Sequence, residues 1–175
     1  MIANEPGPLR IRPETPADAD AISGLIARAF AAEQFTSHTE QFIVRALRDA
    51  GALAVSLVAE HERTIVGHVA FSPVTITSGE AHWYGLGPLA VAPAFQKQGI
   101  GSALVLAGIG QLRSMSAVGC VVLGEPAYYG RFGFRTTAGL VYPGPPPEYF
   151  MALRFAGPVP RGEVAYHAAF GSEVP

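Results

Sequence analysis

The residues best suited to chemistry lie in one continuous stretch, Leu86-Gly87-Pro88-Leu89-Ala90-Val91-Ala92-Pro93-Ala94-Phe95-Gln96-Lys97-Gln98-Gly99-Ile100-Gly101-Ser102-Ala103-Leu104. An apolar strand runs into a short polar turn with two closely spaced glycines, and an apolar helix follows. A turn of this kind presents backbone N–H groups at a helix N-terminus, where an anion, above all a pyrophosphate, is stabilised. Gly99 and Gly101 carry no Cβ, so the backbone approaches phosphate oxygens closely. The amides of Gln98, Gly99, Ile100, Gly101 and Ser102 are the candidate donors. Gln96 and Lys97 add side-chain donors, and Lys97 adds a positive charge.

Three phosphate-binding patterns compete for this stretch. Gly85-Leu86-Gly87-Pro88-Leu89-Ala90 matches G-x-G-x-x-A in form. A dinucleotide fingerprint must follow a strand and open a helix, whereas Pro88 sits inside this one and Leu89-Ala90-Val91 continues the strand. A P-loop fails because no G-x-x-x-x-G-K-[ST] occurs. The third pattern, Gln96-Lys97-Gln98-Gly99-Ile100-Gly101, has the form [QR]-x-x-G-x-[GA] and lies where strand gives way to helix.

The elements around it follow from periodicity. Leu9 to Arg12 alternates as a short strand. Thr15 suits an N-cap, Pro16 a first helical position and Asp18 the far side of a capping box. Ile22, Leu25, Ile26, Ala29 and Phe30 then repeat at helical spacing, which predicts a helix over 16–31. A second helix is predicted over 39–50, with Ile43, Ala46 and Leu47 inward, after a polar loop at 32–38 that exposes Phe35. Strands are predicted at 54–59 and 64–76, joined by the turn Glu60-His61-Glu62-Arg63, then at 83–91. A helix over 99–115 and a buried strand over 117–123 complete a strand–helix–strand unit, expected parallel with a right-handed crossover. Pro126 to Phe132 reads as a short helix closed by Gly133. A proline-rich turn at 143–147 leads to the apolar run Tyr149 to Phe155. The order predicts an α/β (α+β) mixed sheet with helices on both faces.

The 175 residues fit one domain spanning 1–175, large enough to bury about 70% of the surface of the unfolded chain. Half the chain is apolar (49%) and only 15% is charged, which excludes disorder. A net charge of −2 gives no reason to expect nucleic acid or an anionic membrane. No apolar run spans a bilayer, and the start shows neither a charged n-region nor an apolar h-region, so a cytoplasmic location is expected. The single cysteine excludes an internal disulfide and fits a reducing compartment. The Ala-, Gly- and Pro-rich composition suggests a bacterial source.

The segment 86–104 resembles motif A of the GNAT superfamily of N-acetyltransferases, whose turn wraps the pyrophosphate of acetyl-CoA. Leu123-Gly124-Glu125-Pro126-Ala127-Tyr128-Tyr129-Gly130-Arg131-Phe132-Gly133-Phe134 resembles the end of that family's fifth strand, its tyrosine-bearing helix and the closing G-F. The run Ile65 to Pro73 and the tail Pro146-Pro147-Glu148-Tyr149-Phe150 resemble the YhbS-like branch. Together these blocks cover most of 9–170. The resemblance implies the GNAT acyl-CoA N-acyltransferase fold, acetyl-CoA as cosubstrate, no metal, a small-molecule or peptide amine as acceptor, and a homodimer as an open possibility. Neither nucleic acid nor a membrane is implied as partner.

Acetyl transfer to an amine needs a deprotonated amine near the thioester carbonyl, a donor for the developing oxyanion and a proton for the leaving thiolate. By resemblance, the backbone of Leu89, Ala90 and Val91 holds the pantetheine arm where two parallel strands splay, and an N–H there is the oxyanion donor. Tyr129 aligns with the tyrosine of the family's Y-x-x-x-G-F pattern and is the expected proton donor; a phenol stays protonated at neutral pH. Tyr128 is expected in packing or at the substrate edge. The general base is a gap, because Trp83-Tyr84-Gly85-Leu86-Gly87-Pro88-Leu89 carries no carboxylate where many family members place a glutamate. Glu33, Glu80 and Glu125 are the candidates, with Glu125 best placed, beside deprotonation through water. The missing carboxylate also fits a second reading, a sensor that binds acyl-CoA without turnover. A domain that only binds a partner leaves the turn unexplained.

His68 reads as a hydrogen-bonded strand residue, and the five histidines show no metal spacing. Cys120 reads as an inert core thiol. Trp83 and Tyr84 read as sheet packing or as a pocket lining. The loop 32–38 and the segment 143–147 are the expected specificity elements, and the acceptor itself stays open.

Overall fold

A computed structural model describes residues 7–34 and 36–171; Phe35, expected on an exposed loop, lies outside them. The elements run in the order β1 (Arg10–Pro13), α1 (Ala19–Phe30), α2 (Glu40–Asp49), β2 (Val55–His61), β3 (Thr64–Pro73), β4 (Thr75–Ile76), β5 (Trp83–Val91), α3 (Ile100–Ser114), β6 (Gly119–Leu123), α4 (Pro126–Tyr129), β7 (Leu140–Val141), β8 (Phe150–Arg154) and β9 (Gly162–Ala165). The main sheet has the order β1-β2-β3-β5-β6-β8. Its neighbours are antiparallel except β5 and β6, which are parallel as the strand–helix–strand unit requires.

Before α1, Pro16–Asp18 form a 3-10 turn rather than the first turn of the helix. Asp18 completes the expected reciprocal cap, accepting from the Thr15 N–H at 2.7 Å and the Thr15 hydroxyl at 3.0 Å. Ile22, Leu25, Ile26 and Ala29 form the buried stripe of α1. With Val44 of α2 they pack on Val58 and Ala90, one face of the sheet. The other face, carrying Leu57, Ala59, Val69, Phe71, Leu86, Cys120 and Val122, receives Ile100, Leu104, Val105, Ile109 and Leu112 of α3. Helices therefore cover both faces, as the element order predicts.

Two expectations are corrected here. The strand read as 64–76 breaks at Val74. The Val74 N–H makes the last bond to β5, to Trp83 O at 3.1 Å, and Thr75–Ile76 leave to pair with β9. The second correction is a small sheet, β4-β9-β7, that the sequence reading missed. Its strands have two to four residues, too few to show a period. With Trp83, Val121, Phe150 and Ala152 they form a separate apolar cluster on the α1 side of the main sheet. The chain after β9 returns to α2, where Ala169 joins Ile43 and Leu47.

Candidate active site

Pairing of β5 with β6 runs from Trp83↔Gly119 to Leu86↔Val122 and stops there, while β5 continues to Val91. The two strands part at this point. On its other side β5 stays paired with β3, through Val69↔Leu89, His68↔Ala90 and Gly67↔Val91. The next N–H in register, that of Ala92, donates to Val66 O at 2.8 Å. Amide direction alternates along a strand, so the Ala90 N–H also points to β3, while those of Leu89 and Val91 point into the gap left by β6. Of the three residues expected to offer backbone there, Leu89 and Val91 do. Ala90 does not: its amide is directed to β3, and its side chain is buried against α1.

The gap leads directly into the turn. Lys97 has φ +61° and Gly99 φ +83°, so two residues of left-handed conformation curl the backbone ahead of α3. Nothing lies within 4 Å of where a Gly99 Cβ would stand, so that glycine serves the backbone conformation. Gly101 serves close approach: a Cβ there would meet the Tyr128 hydroxyl at 2.7 Å. The first helical bond runs from Ala103 N–H to Gly99 O, which leaves the amides of Ile100, Gly101 and Ser102 without a partner in the helix. They carry the positive end of a 15-residue helix dipole, worth about 0.3–1 kcal/mol to an anion at an exposed site.

The flanking side chains divide into two groups. Gln96 Nε2 donates to Val91 O at 3.1 Å and Gln98 Nε2 to Ala94 O at 3.2 Å, so both amides brace the loop from within. Arg131, which the sequence reading passed over, lies across the helix N-terminus. Its Nη2 donates to Ser102 Oγ at 3.2 Å, its Nε to Tyr128 O at 3.2 Å, and its guanidinium covers the Tyr128 ring at 4.6 Å. The only sequence signal was a cation inside the tyrosine-bearing block. A groove of about 450 Å³ results, lined by Leu89, Val91, Gln96, Lys97, Gly99, Ile100, Gly101 and Ser102 and closed by Glu33, Phe95, Tyr128 and Arg131. Two cations and three free amides converge on it.

Tyr129 follows on α4, half-buried, its ring packed on Gly124 and edge-on to Phe134. Burial pushes its phenol well above the ordinary value of 10.0. Glu125 is exposed at the N-cap of α4, where its carbonyl accepts the N–H groups of Tyr128 and Tyr129. Its side chain does not line the groove. Glu33 does line the groove, and Glu80, bonded to the Ser78 hydroxyl, borders a different cavity beside Trp83 and Tyr84. Cys120 is fully buried, and burial holds its thiol protonated. Among the described residues no three His, Cys, Asp or Glu side chains gather as a metal site, and no helix is long and apolar enough to cross a membrane.

His68 is wholly buried and belongs to a polar chain. Arg48 donates twice to Glu14 at 2.9 Å, the Glu14 N–H donates to Ser56 O at 3.0 Å, and Ser56 Oγ lies 2.8 Å from His68 Nε2. Burial raises the Glu14 pKa, but the bonds from Arg48 oppose it and the carboxyl is held below its ordinary value. Burial lowers the His68 pKa to about 4, so the ring is neutral at pH 7.

Parallel strands that part in front of a left-handed turn at a helix N-terminus define an acyltransferase cradle. Residues 20–134 match the model of the Acetyltransferase (GNAT) family, and the chain belongs to that family. It is 40% identical over 129 residues to the uncharacterized N-acetyltransferase YhbS of Escherichia coli, covering 73% of this chain and 74% of that one. Among solved structures, a GNAT acetyltransferase from Brucella melitensis in complex with acetyl-CoA is similar with a TM-score of 0.84. It is 46% identical and covers 93% of this chain and 98% of its own. Escherichia coli YhbS in complex with CoA is similar with a TM-score of 0.87 and 34% identity, covering 98% and 97%.

Proposed function

We propose that this chain transfers an acetyl group from acetyl-CoA to a primary amine, by direct attack of the amine within a ternary complex. The observation that carries the reading is the course of β5. It leaves β6 after Leu86, turns the free N–H groups of Leu89 and Val91 into the gap, and ends at a cationic helix N-terminus. The similarity to the Brucella melitensis and Escherichia coli proteins, solved with acetyl-CoA and CoA, supports the same ligand here.

The pyrophosphate is held by the amides of Gly99 to Ser102, with Lys97 and Arg131 supplying charge. The pantetheine arm runs along Leu89 and Val91 as an added strand would. The amide facing the carbonyl donates to its oxygen as negative charge develops there. Tyr129 stands beyond the end of β6 with a phenol that burial keeps protonated. It gives its proton to the departing sulfur, while the proton that the attacking amine loses leaves through water and restores the phenol. Titration calorimetry with acetyl-CoA tests the binding step, and heat absent at hundreds of micromolar ligand refutes it.

The strand 83–89, free of carboxylates, favours one other reading, an acyl-CoA sensor on the same scaffold. Free thiol release in the presence of primary amines separates the two: binding without release is the sensor's signature.

A further inference from the structure

Among the described residues, five buried side-chain atoms have no hydrogen-bond partner: Glu40 Oε2, His68 Nδ1, Ser72 Oγ, Trp83 Nε1 and Tyr166 Oη. A buried polar group left unpaired costs about 1–3 kcal/mol, so such groups mark a place where water or a ligand belongs. Two of the five, Ser72 Oγ and Tyr166 Oη, belong to residues beside Gly85. Ser72 is its cross-strand partner on β3, so both residues point to the same face of the sheet. Trp83 precedes it by two residues on β5 and shares that face too. The ring of Tyr166 lies over it, so close that a Cβ on Gly85 would stand 2.4 Å from Cε1. The Tyr166 ring is fixed edge-on against Tyr142 at 5.2 Å and tilted against Phe170 at 4.9 Å.

This patch lies where the proposed reaction needs a second substrate. Gly85 comes one residue before the last β5–β6 pair. Tyr129 belongs to the α3 side of the parting and Tyr166 to the opposite side. With the cofactor on the α3 side, an amine reaches the thioester from the Tyr166 side.

We infer that Ser72 and Tyr166 form the acceptor's end of the transfer site, their two hydroxyls hydrogen-bonding the amino nitrogen as it enters the parting of β5 and β6. The inference rests on the proposed acetyl transfer. Both hydroxyls are neutral and each can accept an N–H, which orients an uncharged amine with its lone pair free and without trapping an ammonium. Burial holds the Tyr166 phenol far above its ordinary pKa, so it positions the amine and does not deprotonate it. In the absence of an amine, water occupies the same place.

The test uses the full chain with 2-phenylethylamine as probe. Tyr166→Phe and Ser72→Ala are expected to raise the KM for the amine about tenfold, with kcat within threefold and CoA affinity within twofold of the parent. Tyr166→Phe removes a hydroxyl that has no protein partner, so its Tm stays level. An unchanged amine KM, or a loss shared equally by acetyl-CoA, overturns the inference. A high-resolution crystal structure decides it without turnover. Water or amine within about 3.2 Å of both hydroxyls is the expected result, and a dry pair refutes it. Failure of the underlying reading shows separately, as absence of CoA binding in calorimetry.

Discussion

The two faces of the sheet are built differently where β5 leaves β6. On the α3 face the polar groups come from one stretch of chain, Leu89 to Ser102, joined by Arg131. They are charged or dipolar, and both glutamine amides of the turn are already bonded within it. On the opposite face, Ser72, Trp83 and Tyr166 come from three strands or their flanks, carry no charge and have no partners. The contrast matches two tasks. A ligand with a fixed, highly charged end is served by a preformed local cradle, whereas a neutral amine is served by uncharged groups that leave their bonds open.

The largest test of this contrast is Tyr129→Phe. Removing the acid on the α3 side is expected to lower kcat about 10²–10³-fold while CoA affinity stays within twofold. The rate of thiol release across pH checks it. A fully active variant at all pH values ends the acid assignment, and an equal loss in amine KM would erase the distinction from Tyr166.

The second test asks the α1 face to respond to pH. His68 titrates at about 4 in the folded chain against 6.5 ordinarily. Between these values the unfolded state binds the extra proton. Stability is therefore complete above pH 6.5 and is lost as pH falls toward 4, by roughly 3 kcal/mol. Urea unfolding at stepped pH should show this slope, and His68→Gln should flatten it. An unchanged slope in the variant would assign the effect to carboxylates. Asp18, held well below the usual range by Arg12, and Glu14 lose their contributions only at lower pH.

The third test is Gly101→Leu. Its side chain displaces the Tyr128 hydroxyl and stands in the groove. CoA affinity should fall about 100-fold, close to 2.7 kcal/mol. Retained affinity by calorimetry would place the cofactor elsewhere. The smallest effect is that of Arg131→Ala. Loss of one exposed cation should weaken CoA binding by no more than about tenfold at low salt, and by less at high salt. Tyr166→Phe should show no such salt dependence. If it did, the two faces would not be electrostatically distinct.

Much of this was legible from residue order. The buried stripe of α1, the strand Trp83–Val91, the parallel partner Gly119–Leu123 and the helix after Gly99 all follow from periodicity and turn chemistry. The small sheet was not, because strands of two and four residues among glycines and prolines show no period. Glu125 was placed after β6 by residue order, and the fold sets it, exposed, at the N-cap of α4. Arg131 drew no reading from the sequence, because only the fold brings the turn after α4 to Ser102 at the start of α3. The side chain of Gln96 looks like a ligand donor in a linear motif, but it bonds Val91 O within the loop.

The sequence by itself determined the cradle. A strand, a left-handed turn and a helix N-terminus are specified by residues within a few positions of one another, where backbone conformation and local hydrogen bonds decide. Only the tertiary structure decided which amides face the gap. That depends on register against β3, and a slip of one residue would exchange Ala90 for Leu89 and Val91. It also decided that Tyr166, some eighty residues on in the chain, lies over Gly85. No local rule sets that contact, because the small second sheet alone brings the two together.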